Sequence, residues 1–123
     1  MTTHRARLGI EQEGPLAIVT FNDVRILDQI AIREIRAEFD TLVGEIGMRQ
    51  LLIDFDGVEA LSSSALGALL SLRDQLKNAN GRVWLAGLTE DIARLFSLTK
   101  LDQVFEIYAD RAEALAAIRP GRL

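Results

Sequence analysis

Six residues, Leu16 to Phe21 (Leu-Ala-Ile-Val-Thr-Phe), constrain the chain most. Strand alternation puts Leu16, Ile18 and Thr20 on one side and Ala17, Val19 and Phe21 on the other. Both faces are largely apolar, so such a strand belongs in the middle of a sheet, with packing layers above and below it. Leu51-Leu52-Ile53-Asp54-Phe55, Val83-Trp84-Leu85-Ala86 and Val104 to Tyr108 read as further short strands. Leu8 to Glu11 precedes Leu16 across the turn residues Glu13-Gly14-Pro15, which predicts an opening hairpin.

Between the strands lie longer stretches with helical spacing. Ile32, Ile35, Phe39, Leu42, Val43 and Ile46 define one face of a helix from about Asp28 to Ile46, with Gly47 as its stop. Asp28 is the expected cap, and Leu27 and Ile32 occupy the positions of a hydrophobic staple. A second helix is expected from Ser63 to Ala79, with Leu66, Leu69, Leu70 and Leu76 on its apolar face and Asn80-Gly81 at its end. Thr89 is placed to cap a third helix bearing Ile92, Leu95 and Phe96. Asp110 and Glu113 have capping-box spacing for a fourth, carrying Leu115 and Ile118. The order β-β-α-β-α-β-α-β-α predicts an α/β fold with a mixed, mostly parallel sheet and helices packed on it. The 123 residues read as a single domain, with residues 1–6 as a frayed N-terminus.

Composition narrows the function. There is no cysteine, which excludes disulfides, thiolate catalysis and cysteine-held metals. Net charge is -4 with both signs interspersed, and no basic stripe points to nucleic acid. No apolar run is long enough to span a bilayer, and Met1 to Arg7 lacks the apolar core of a secretory signal. The expectation is a cytoplasmic protein without membrane insertion.

Function in open sheets gathers beyond the carboxyl ends of the strands, which directs attention to the loop from Asp54 to Ser64. With Ser62 as N-cap, Leu61 and Leu66 again take the staple positions. Ser63 and Ser64 are then the first helical residues, with free hydroxyls beside unpaired N–H groups. A phosphate there sits at the positive end of a helix and adds roughly -1.5 to -2 of charge. That is a workable switch on a binding surface.

The segment Leu51 to Phe55 followed by Val58-Glu59-Ala60-Leu61-Ser62-Ser63-Ser64-Ala65-Leu66-Gly67 resembles the STAS domains, and within them the bacterial anti-sigma factor antagonists. Gly81 to Gly87, Ile92 to Phe96 and Leu101 to Phe105 resemble the family too. The resemblance implies a phosphoacceptor at Ser63, with Ser64 as the alternative, and a partner surface including Asn22, Arg25, Asp56, Ser62, Ser63, Ser64 and Leu66. It implies an anti-sigma factor with kinase activity as partner, a metal-dependent phosphatase that reverses the modification, and no cofactor or catalytic residue. Three positions differ from the family pattern. Ser62 stands where an acidic residue is usual, Ala65 where a glycine is usual, and Asn22 and Arg25 where a glycine and an acidic residue often stand. The alternative is a non-phosphorylated adaptor in a signalling scaffold or a lipid-transport complex.

Asp54-Phe55-Asp56-Gly57-Val58 also looks like the start of a haloacid-dehalogenase-type phosphatase, but the motif is central and little chain follows it. A response-regulator receiver needs an acidic pair after the first strand and a lysine ending the last. Glu11, Glu13 and Lys100 are poorly placed for those roles.

Overall fold

The computed structural model describes residues 6–118, and Leu16–Phe21 (β2) lies inside its sheet as the two-faced pattern requires. β1 (Leu8–Glu13) pairs antiparallel with β2, and β2 pairs parallel with β4 (Gln50–Asp54). β4 pairs with β6 (Arg82–Ala86) and β6 with β7 (Glu106–Tyr108), both parallel, giving the order β1-β2-β4-β6-β7. A second, two-stranded sheet joins β3 (Arg25–Ile26) to β5 (Ala60–Leu61). Of the start expected to fray, residues 1–6, the first five lie outside the described residues. Ala6 is described, and its carbonyl accepts from Asn22 Nδ2 at 2.9 Å.

One face of the main sheet is covered by α1 (Gln29–Asp40), α2 (Ser63–Asn78) and α3 (Glu90–Leu98). Ala17, Val19, Leu51, Ile53 and Leu85 meet Ile32, Ile35, Phe39, Leu69, Leu76 and Phe96 there. The other face carries α4 (Arg111–Ile118), whose Ala114 packs with Leu16, Ile18, Leu52, Trp84 and Ala86. Leu51, Leu52 and Ile53 are wholly buried, each stabilising the fold by about 1.5–3 kcal/mol.

The caps form as the side-chain chemistry predicts. Asp28 accepts from Ala31 N–H, Ser62 from Ala65 N–H at 3.2 Å and Thr89 from Ile92 N–H. Three expectations are corrected. The long first helix is α-helical only to Asp40 and continues as a π-turn, Thr41–Ile46, ended by Gly47 at φ 86°. Arg49 then donates to the Val43 carbonyl near the end of this turn and to the Met48 carbonyl just beyond it. The last strand starts at Glu106, because Leu101–Gln103 form a 3₁₀ turn that buries Leu101 and Phe105. Glu113 N–H bonds Asp110, but the Glu113 carboxylate reaches Ala109 N–H rather than the cap. Of the two expected staple residues, Ile32 is buried and Leu27 is 44% exposed.

Candidate functional site

The two-stranded β3–β5 sheet builds the site. Glu59 N–H donates to Val24 C=O and Ser62 N–H to Ile26 C=O, which fastens the loop before α2 to the segment before α1. The pairs Arg25↔Ala60 and Ile26↔Leu61 continue in register, so Leu27 leaves the sheet beside Ser62. Parallel pairing therefore delivers the starts of α1 and α2 to the same end of the molecule. Beneath them Phe21 and Phe55 lie 5.2 Å apart, and Phe96 and Phe105 extend the aromatic chain into the core.

Ser62 is the cap, and its hydroxyl is spent on Ala65 N–H. Ser63 is exposed and its hydroxyl has no partner among the described residues. Ser64 is half-buried, and its Oγ accepts from Gln29 Nε2 at 3.1 Å. Around these serines Val24 (51%), Leu27 (44%) and Ile30 (56%) are exposed, half of the large exposed apolar side chains among the described residues. Three such residues within seven positions, on the segment that the β3–β5 pairing ties to the start of α2 where Ser63 keeps a free hydroxyl, form a small apolar patch of the kind that marks a contact surface. Arg25 is exposed at its rim.

The expected surface thus changes membership. Leu66 is 6% exposed and belongs to the core, because N4 of α2 faces the sheet. Asn22 is exposed, yet its side chain holds the chain start at Ala6. Asp56 lines a different depression of about 530 Å³ on the α4 side, with Asp54, Gly87, Asp110 and Arg111. Gln29, Val24 and Ile30 were not anticipated. Ile30 was recoverable, since it lies opposite the stripe of Ile32, Ile35 and Phe39 on a 100° wheel.

Asp54, the residue a phosphatase or receiver would use, is 5% exposed and engaged. Arg111 Nε donates to its Oδ2 at 2.9 Å, and Asp56 N–H to its Oδ1 at 3.0 Å. Arg111 also reaches Glu11 on the edge strand. The hydrogen bond that Arg111 donates to Asp54 raises the Arg111 pKa above its ordinary value, against the opposing effect of burial. Gly87, at φ 75°, is pressed against this carboxylate. A Cβ there would fall 2.8 Å from Asp54 Oδ1. The described residues hold no cluster of three or more acidic or histidine groups able to bind a metal. None of their helices is long and apolar enough to cross a membrane.

The model of the STAS domain family matches residues 10–114, and the chain belongs to that family. It is 27% identical over 81 residues, 66% of this chain and 71% of the relative, to a Thermotoga maritima protein assigned as an anti-sigma factor antagonist. An anti-sigma factor antagonist domain from Planctomyces limnophilus superposes with a TM-score of 0.80 at 24% identity, covering 93% of this chain and 98% of that one. The Bacillus cell-fate determinant SpoIIAA, solved in its phosphorylated form, superposes with a TM-score of 0.71 at 19% identity, covering 90% and 98%. These likenesses show the fold, and they agree with the α/β sheet expected from the strand pattern.

Proposed function

We propose that this chain is a single-domain, cytoplasmic anti-sigma factor antagonist whose work is conditional binding rather than catalysis. An anti-sigma factor with kinase activity docks on the apolar patch of Val24, Leu27 and Ile30 and on the exposed start of α2. The observation that carries the reading is Ser63, an exposed N1 residue with a free hydroxyl beside that patch. The family membership and the phosphorylated SpoIIAA structure support it.

In the transfer, the Ser63 Oγ bonds to the γ-phosphorus of ATP and the bond to the β–γ bridging oxygen breaks. ADP leaves, and the hydroxyl proton passes to a base on the kinase. The new dianion lies at a helix start, so the fold tolerates it. It sets charge against an apolar contact and expels the partner. A metal-dependent phosphatase restores the serine by hydrolysis.

The test is intact-mass analysis with the candidate kinase and Mg-ATP. One phosphate is expected on wild type and on Ser64→Ala, and none on Ser63→Ala. Absence of phosphate on wild type, or an undiminished yield on Ser63→Ala, overturns Ser63 as the switch. Docking that persists unchanged on the phosphorylated chain supports the constitutive adaptor instead.

A further inference from the structure

Ser64 and Ser63 differ in what α1 presents to them. α1 and α2 run in the same direction, since Gln29 Nε2 bonds Ser64 Oγ and Arg36 Nη1 bonds Ser71 Oγ, 35 residues apart in each case. Between these two rungs lies Gly67. Its missing side chain lets Arg36 Nη2 rest 3.3 Å from where a Cβ would stand. That nitrogen has no hydrogen-bond acceptor among the described residues. Gly67 is three residues beyond Ser64 on the same helical face, about 4.5 Å along the axis. The unsatisfied edge of a guanidinium therefore lies within one helical turn of a serine hydroxyl already held by an amide donor.

We propose that Gln29 and Arg36 are an internal clamp for a phosphate on Ser64, drawing it into the α1–α2 seam. This rests on the reading that the start of α2 is phosphorylated, and it assigns the two serines different consequences. A phosphate on Ser63 projects toward the partner. A phosphate on Ser64 is retained by its own domain, through the Gln29 amide and the Arg36 fork, and ties α1 to α2. The donor is a nucleoside triphosphate. Its γ-phosphoryl bonds to Ser64 Oγ, the nucleoside diphosphate leaves, and the hydroxyl proton goes to the kinase.

Other charges border the seam. Asp28 heads α1 but is engaged as its cap, and Glu34 is bound to Arg7. Arg33 on α1, Arg25 on β3 and Glu59 in the preceding loop are exposed. Asp74 lies further along α2, paired with Arg73. Among the described charged side chains, Arg36 is the one that bonds the serine face of α2, which makes it the discriminating residue.

The test installs phosphoserine during translation at position 64 or 63 and follows the ³¹P resonance against pH. A neighbouring cation favours the dianion. The second ionisation of phosphoserine 64 is therefore expected below the usual value of about 6. Arg36→Gln should raise it by about half a unit to one unit, and Arg36→Lys by less. Phosphoserine 63 should not respond to Arg36→Gln. An Arg36-independent midpoint at 64, or an equal response at 63, overturns the clamp. Arg36 is exposed, so these variants leave the core intact. No kinase takes part, so failure of enzymatic phosphorylation overturns the functional reading alone.

Discussion

Tyr108 shows how closely a single side chain depends on its neighbours across the sheet. Its hydroxyl donates to the Glu106 carboxylate, two residues away on the same face of β7, while Arg82 on β6 bridges to Glu106 and lies 4.9 Å over Trp84. The hydrogen bond to Glu106 is the main cause of a raised phenol pKa. Burial adds to it, and the charge of Arg82 works against it. The folded chain therefore holds this proton more tightly than the unfolded chain does. The resulting stability is intact below the ordinary tyrosine value of about 10 and is lost as pH rises through the higher folded value. Tyr108 is the chain's one tyrosine, so an ultraviolet absorbance titration reads it alone. The midpoint is expected above about 10 in wild type and lower in Glu106→Gln, and identical midpoints would refute the coupling. The serines are read at the same scale. Ser62 was legible as a cap because capping needs only a hydroxyl three residues before a free N–H. The difference between Ser63 and Ser64 was not legible, because Gln29 lies 35 residues away in the chain.

At the scale of elements, α2 carries the most information. Helical periodicity places Leu66, Leu69 and Leu76 in its buried stripe; Leu72 completes the stripe, and Leu70, expected on that face, is only half-buried. Gly67 interrupts the helix interior at a cost that helix propensity puts at roughly 0.5–1 kcal/mol relative to alanine. Among the described residues its one close neighbour is the far end of the Arg36 side chain. That exposed, flexible arm is held to α2 by its hydrogen bond to Ser71 and needs to give only a few tenths of an ångström. Gly67→Ala is thus expected to stabilise the domain by about 0.5 kcal/mol in urea denaturation while displacing Arg36. A loss of stability would mean that Arg36 cannot shift. The strands β3 and β5 were invisible to pattern reading. Two residues carry no period, and their pairing joins segments 35 positions apart. The π-turn after Asp40 was hidden as well, since Leu42 and Val43 satisfy an α-helical stripe and are buried in either winding.

Across the whole molecule, Arg111 links three parts that the sequence leaves unrelated. It joins the head of α4, the carboxyl end of β4 at Asp54 and the edge strand at Glu11. Arg111→Met leaves the Asp54 carboxylate buried with only a backbone donor. The expected loss is about 2 kcal/mol in chemical denaturation, below the usual 3–5 because Arg111 is itself partly exposed. An unchanged midpoint would show that solvent replaces the arginine at no cost. The amino-acid order by itself determined the two-faced strands, the caps and the buried helix stripes, because these depend on spacing within about one helical turn or one strand. It therefore determined the α/β class and the run of serines at a helix start. Tertiary structure alone decided which residues share the surface with those serines. It buried Leu66, placed Asp56 in the depression by α4, exposed Val24, Leu27 and Ile30, and set Gln29 and Arg36 against α2. The reason is that parallel pairing brings distant loops to one end of the sheet, and the side-chain neighbours made there have no counterpart in local sequence.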